Sequence, residues 1–273
     1  MKRFIFAAMA ALVLISCSPK TYFFVQMTDP QMGFKEKGSI EKSVEYLHET
    51  VDAINRLHPS FVVVTGDMLN NWNHADQWEA YHSIMAGIDK DIPVYHIPGN
   101  HDYRPKQEVE SVSTYFERFG YDRFCFMYKG SLYLGFNTNV IKDGQTRLEE
   151  AQYDWMVENL EKYGPKAKHI FLFGHCSIIR EQIDEPVNYF NFQEPYRTKY
   201  LELCKKYHVD AAMFGHFHRT RLVKYEDTQH ITLSACGEAL GDGVRSINLV
   251  TVSPDSWSFD IVSPADAQNP LKK

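Results

Sequence analysis

The sequence predicts an α/β (α+β) fold of two sheets with helices packed outside them. Three observations predict it. Strand and helix patterns alternate through the first half, and the later part is rich in strands. Several short apolar runs also end in a carboxylate, amide or imidazole residue, as strands do when they deliver side chains to a sheet edge. In order, Thr21 to Met27 reads as an aromatic and β-branched strand. Ile40, Val44, Leu47, Val51, Ile54 and Leu57 recur at spacings of three and four, the mark of a helix with one apolar face. Phe61 to Thr65 is a buried strand, followed by a polar loop and a helix near Gln77 to Ile88. Val94 to Ile97 is the next strand, and Leu132 to Phe136 another. A helix over Glu149 to Lys162 precedes the strand His169 to Phe173. Val209 to Phe214, His230 to Ser234, Ser246 to Val252 and Ser256 to Val262 close the chain as strands.

The chemistry lies where these runs end. Five motifs place metal-binding residue types there: Asp29-Pro30-Gln31, Gly66-Asp67-Met68-Leu69-Asn70, Gly99-Asn100-His101-Asp102, Gly174-His175 and Gly215-His216-Phe217-His218. Each alone is weak, because an Asp after a strand is often a helix cap and Gly-Asp a common turn. Together they gather carboxylate, amide oxygen and imidazole, donors suited to borderline and hard divalent metals. No nucleophilic serine motif or glycine-rich nucleotide loop is present.

The set of five, in this order, resembles the calcineurin-like metallophosphoesterases over nearly all of the chain from Tyr22 onward. The resemblance implies a four-layer αββα sandwich of two mixed sheets, with two divalent metal ions between the C-terminal strand ends. It implies Asp29, Gln31, Asp67 and His218 as ligands of the first ion, and Asp67, Asn100, His175 and His216 as ligands of the second. Asp67 bridges, as two cations roughly 3.5–4 Å apart require of a shared anion. Manganese, iron, zinc or magnesium would serve. A hydroxide held by both ions would attack phosphorus, while His101 would stabilise the phosphate and protonate the leaving oxygen. Asn70 or Asp102 is expected to orient that imidazole.

One residue departs from the pattern. The family's first motif is usually Asp-x-His, and here it is Asp29-Pro30-Gln31. Gln31 offers a neutral amide oxygen, harder and weaker than imidazole. Three readings compete: a true ligand favouring Mn, Fe or Mg, a contact to metal-bound water, or an impaired first site. Residues Thr28 to Phe34 also resemble the opening of animal calcineurin-like phosphoesterase-domain protein phosphatases. Tyr189-Phe190-Asn191 with Arg197, and the stretch from Ser234 to Arg245, resemble later parts of them. That likeness implies Tyr189, Asn191 and Arg197 as substrate contacts, against a plainer reading in which they pack and pair. A phosphomonoesterase acting on a phosphorylated small molecule or phosphoprotein is therefore expected. A phosphodiesterase for cyclic nucleotides or glycerophosphodiesters, and a non-catalytic metal- or phosphate-binding lipoprotein, are the alternatives.

The N-terminus bears on location. Lys2 and Arg3 precede an apolar stretch ending in Leu14-Ile15-Ser16-Cys17, too short to span a bilayer and similar to a bacterial lipoprotein signal. Residues 1–16 are expected to be removed and Cys17 lipidated, with 17–20 a tether, 21–265 the phosphoesterase domain and 266–273 a C-terminal tail. The domain would then lie outside the cytoplasm, anchored to a membrane, in the periplasm or cell envelope. Removing Lys2 and Arg3 changes the formal charge from −6 to 27 − 35 = −8. So acidic a chain, without a basic tract, argues against a nucleic-acid partner. Cys125, Cys176, Cys204 and Cys236 are too irregularly spaced to demand a disulfide framework and read mostly as buried thiols.

Overall fold

The computed structural model describes residues 21–103, 110–144 and 146–272, so the expected signal and Cys17 lie outside the described residues. Strand β1 (Tyr22–Met27) leads into helix α1 (Glu41–Leu57), β2 (Val62–Val64), α2 (Ala75–Met85) and β3 (Val94–His96). Helix α3 (Glu110–Phe119) precedes the hairpin of β4 (Phe124–Tyr128) and β5 (Ser131–Gly135). Short α4 (Asn139–Lys142), α5 (Thr146–Tyr163), β6 (His169–Phe173), α6 (Tyr196–Lys206) and β7 (Ala211–Phe214) follow. The chain closes with β8 (Arg221–Tyr225), β9 (Thr228–Thr232), β10 (Ile247–Val252) and β11 (Trp257–Val262).

Two mixed sheets result, of order β11-β10-β1-β2-β3 and β4-β5-β6-β7-β9-β8. In the first, β1, β2 and β3 run parallel, while β10 pairs antiparallel with β1. In the second, β5, β6, β7 and β9 run parallel, with antiparallel β4 and β8 at its edges. Both faces of each sheet are covered, which is why β1 and β6 read as continuous apolar runs rather than alternating ones. Phe23, Val25 and Met27 of β1 face the layer of α1 and α2, whereas Tyr22 and Phe24 face the other sheet. In β6, Ile170 and Leu172 face α5 and α6, and Phe171 and Phe173 point between the sheets. That middle layer is aromatic: Phe24 stacks on Phe61 at 4.9 Å and meets Tyr133 edge-on at 5.5 Å. Each such ring contributes roughly 1.5–3 kcal/mol by burial. The four-layer αββα arrangement is therefore present.

Residue patterns do not reveal β4 and β8, the two edges of the second sheet. In β8 only alternate residues are covered, so its pattern is diluted by Arg221 and Lys224. Helix α3 and helix α6 are likewise hidden; α6 buries Arg197 on its inner face, which masks the helical period. Residues 266–272, expected as part of a tail, pack back on α1. Ala267 is buried, Asn269 Nδ2 donates to Leu57 O at 2.9 Å, and Arg56 Nη2 donates to Ala267 O at 3.5 Å. Cys125, Cys176, Cys204 and Cys236 are free thiols, three of them buried.

Candidate metal centre

Seven parallel strands end on the same edge of the sandwich, and the five motifs start where strands end. Asp29 follows β1, Asp67 follows β2, Asn100 and His101 follow β3, His175 follows β6, and His216 and His218 follow β7. The two sheets are joined there by Gln26 Nε2 donating to Phe214 O at 3.1 Å and by His216 N–H to Asp29 Oδ2 at 2.9 Å. Five of the residues hold left-handed backbone: Asp29 (φ 50°), Gln31 (37°), Asp67 (51°), His216 (67°) and His218 (53°). For non-glycine residues this conformation is uncommon and costs of order 1–3 kcal/mol each. It turns each side chain sharply off its strand axis.

The side chains converge. Ligand-type atoms of Asp67, His175 and His216 lie within 4.8 Å of one another, as do those of Asp29, Asp67 and His218. Asp67 belongs to both groups, as a bridging carboxylate must. Asn100 joins the second group, with its Oδ1 3.1 Å from His175 Nε2. Every imidazole is oriented by a main-chain carbonyl, which can only accept a hydrogen. His175 Nδ1–H donates to Thr65 O at 2.8 Å and His218 Nδ1–H to Glu238 O at 2.6 Å. His216 Nε2–H donates to Tyr189 O at 3.1 Å. The other nitrogen of His175 and of His218 faces a carboxylate: His175 Nε2 sits 3.2 Å from Asp67 Oδ2, and His218 Nε2 sits 3.4 Å from Asp29 Oδ1.

Whether these residues suit a pair of divalent cations is answered by their unsatisfied atoms. Asp29 Oδ1 and Gln31 Oε1 are buried with no hydrogen-bond partner, an arrangement that is costly unless a cation completes it. Electrostatics agree. Burial works to raise the Asp67 carboxyl, yet the His175 and His101 imidazoles hold it well below the usual range. Burial would lower His175, and Asp67 more than reverses this, pushing it up to about 9. A proton on His175 and a divalent cation are thus alternative neutralisers of one carboxylate, and metal binding releases the proton. His216 falls to about 3 through burial and the nearby His175. The donor set fits.

The remaining predicted residues separate into three outcomes. His101 stands beside the cluster, its N–H donating to Asp67 Oδ1 at 2.9 Å. Its ring is oriented by the backbone carbonyl of Asn70, at 2.8 Å from Nδ1, and not by the Asn70 side chain. Asp102 does not orient His101. It turns inward to accept Gly99 N–H at 2.7 Å and Leu69 N–H at 3.1 Å, bracing the loop. Burial and the neighbouring Asp67 push its carboxyl up to about 8, against those two donors. Tyr189 is exposed and does reach the site: its OH accepts from Asn100 Nδ2 at 2.7 Å, and its ring lies 4.6 Å from that of His216.

Asn191 and Arg197 are corrections. Both are buried, and both spend their polar groups on the insert itself. Arg197 donates to the carbonyls of Phe192, Ile183 and Glu185, while Asn191 Nδ2 donates to Glu185 Oε1. They brace the loop that carries Tyr189 rather than meeting a substrate. Lys142, not singled out from the sequence, does the same, donating to Asn188 O at 2.9 Å and Asn191 O at 2.5 Å. A cavity of about 300 Å3 lined by Asn100, Asn139, Lys142, Asp143, Tyr189 and His216 adjoins the second group. The roomier cavity, about 470 Å3, lies at the far end of the strands by Leu160, Ile170 and Lys206, away from every candidate ligand.

Comparison with known proteins bears on this geometry. The calcineurin-like phosphoesterase family model matches residues 24–220. Serine/threonine-protein phosphatase CPPED1 of Mus musculus is 26% identical over 277 residues, covering 92% of this chain and 88% of that protein. A probable glycerophosphodiester phosphodiesterase GpdQ of Arcobacter nitrofigilis is 27% identical over 210 residues, 71% of each chain. Among solved structures, a dimetal phosphatase from Danio rerio superposes with a TM-score of 0.63 at 13% identity, over 87% of this chain and 98% of that one.

Proposed function

Since the chain belongs to the calcineurin-like phosphoesterase family, and with it to the dinuclear-metal phosphoester hydrolases, we propose that it hydrolyses phosphomonoesters, with phosphoserine and phosphothreonine of polypeptides as the favoured class. The observation that carries this reading is Asp67, shared by two ligand groups whose remaining buried oxygens, Asp29 Oδ1 and Gln31 Oε1, lack partners. Asp29, Gln31, Asp67 and His218 would hold one ion, and Asp67, Asn100, His175 and His216 the other. Bound there, two divalent cations supply the charge that acidifies the attacking water and neutralises phosphate oxygens.

The rest is the work of this chain's own groups. His101 gives its Nδ1–H to Asn70 O, so Nε2 is the nitrogen left to hand a proton to the leaving oxygen. Tyr189 OH accepts from Asn100 and keeps its own hydrogen to donate to a phosphate oxygen. Gln31 is read as a working ligand, since a buried amide oxygen without a donor is what a hard cation would satisfy.

The monoester preference is supported by the mouse phosphatase, whose likeness spans 92% of this chain against 71% for the bacterial phosphodiesterase. That second relative keeps a glycerophosphodiester in view. Location rests on the N-terminal residues: we infer cleavage before Cys17, lipidation of that thiol, and an anchored domain from residue 21 outside the cytoplasm. No helix among the described residues is long and apolar enough to cross a membrane.

The test is metal content and phosphate release measured together, after reloading with Mn, Fe, Zn or Mg. Two metals per chain with turnover of an aryl phosphate is the expected result. One metal with no release from mono- or diesters would leave a binding protein with a crippled first site. For the anchor, Cys17→Ser should release the protein from membranes; an unchanged membrane fraction would refute lipidation there.

A further inference from the structure

Three arginines crowd one phenylalanine between the candidate ligands. Phe217 separates His216 from His218 and is itself buried, packed edge-on against Phe190 at 4.9 Å, which in turn lies 5.3 Å from His216. The guanidinium carbons of Arg180, Arg219 and Arg221 stand 4.8, 5.2 and 5.3 Å from the Phe217 ring centre. Such gathering of like charge is unfavourable unless something anionic repays it.

Three carboxylates stand against them, two of them at the surface; the third, Glu185, is buried, and its Oε2 lies 4.0 Å from Arg180 Nε. Glu181 lies 3.3 Å from Arg180 and 3.6 Å from Arg221, and Asp242 lies 3.4 Å from Arg219 and 3.6 Å from Arg221. Both are well exposed, so these pairs are weak. Glu185, the third acid in reach, already accepts from Arg180 N–H, Glu181 N–H and Asn191. Arg180 Nε is buried without a hydrogen-bond acceptor. Arg219 is nevertheless held firmly: its Nε donates to Leu240 O at 3.0 Å, and Gly241 packs against it where any Cβ would overlap the guanidinium. Exposed Ile183, Val187, Leu222 and Val244 lie on the same segments.

We propose that Arg180, Arg219 and Arg221 form an anion-reading rim that selects phosphoesters carrying a second negative group beside the ester. The shared chemistry is a carboxylate or second phosphate able to take bidentate guanidinium bonds. An acidic side chain flanking a phosphorylated residue is the favoured source, because exposed Ile183 and Val187 lie on the segment that joins Arg180 to Tyr189 and suit a polypeptide. A small bisphosphate is the other. Glu181 and Asp242 occupy the arginines until such a group displaces them. The proposal rests on the phosphomonoesterase reading and deepens it.

The experiment uses the full chain, metal-loaded, in detergent. It measures kcat/KM for phosphoserine peptides with acidic or neutral flanks, for a sugar mono- and bisphosphate, and for an aryl phosphate. Every rate is divided by the aryl phosphate rate of the same preparation. The wild type is expected to favour the acidic peptide by about tenfold or more at low salt, a margin that shrinks as salt rises. In R219Q/R221Q that margin should fall to about twofold or less, and in D242N it should widen, since a competing carboxylate is gone. The opposite signs separate recognition from structural damage. A margin carried by the bisphosphate alone would transfer the rim to small substrates and overturn the polypeptide source. No margin in the wild type, or one retained by R219Q/R221Q, would overturn the rim itself. Absence of aryl phosphate turnover would sink the phosphatase reading first, and the rim with it.

Discussion

His230 provides a sharp test of how burial governs this fold. It sits in β9, is 1% exposed, lies parallel to the Phe214 ring at 6.4 Å, and has no hydrogen-bond partner on either ring nitrogen. Burial depresses its pKa from the usual 6.5 to about 4. Below pH 6.5 the unfolded chain therefore takes up a proton that the folded chain refuses, so stability is present above 6.5 and is lost as pH falls toward 4. Between pH 7 and pH 5 the linkage relation makes this loss about 2 kcal/mol. His230→Leu keeps the volume and removes both the charge and the unpartnered nitrogens. Urea unfolding of both proteins at pH 7 and pH 5 measures it. Contributions from the metal cluster and from buried His96 are common to the two and cancel in the double difference. The variant should be at least as stable as wild type at pH 7 and should lack about 2 kcal/mol of the acid loss. Equal acid losses in the two proteins would refute the argument, placing the His230 ring in contact with water or a partner.

Three further outcomes are expected. His101→Ala should lower aryl phosphate turnover by about 10²–10⁴-fold while metal content, read by elemental analysis, stays unchanged; lost metal would make the residue a ligand. Gly99→Ala should abolish turnover and reduce bound metal, because a Cβ there overlaps the Asp67 backbone nitrogen and Oδ1; near-wild-type metal binding would show that the β3 loop can move aside. Arg197→Met should destabilise the protein by about 3 kcal/mol or more, since the carbonyls of Phe192, Ile183 and Glu185 lose a buried cationic donor. Its KM should rise as the Tyr189 loop loosens, and an unchanged melting curve would contradict the bracing role.

Much of this was legible from residues alone, for physical reasons. Buried strands such as Phe61 to Thr65 and His169 to Phe173 betray themselves by composition, and α1 by its spacing. The ligand types stand next to glycines at strand ends, so the centre could be listed before it was seen. What escaped was written in the main chain. The carbonyls of Thr65, Tyr189 and Glu238 that fix three imidazoles carry no side-chain signature, and neither does the Asn70 carbonyl behind His101. Asn191 and Arg197 misled because polar residues near a site read as contacts until their burial is known. Edge strands β4 and β8 gave too little periodicity to separate from loops.

The left-handed turns at Asp29, Gln31, Asp67, His216 and His218 place these residues under opposed selection. Each would rest more easily as glycine, or as asparagine where a side chain must remain, so the strain is borne for what the side chain does at the site. A library of variants sorted for heat survival, with no requirement for turnover, should drift toward glycine and asparagine at 31, 216 and 218. Sorted for phosphate release, the same library should hold those positions fixed. The active centre is then the part of the molecule that folding alone would not preserve.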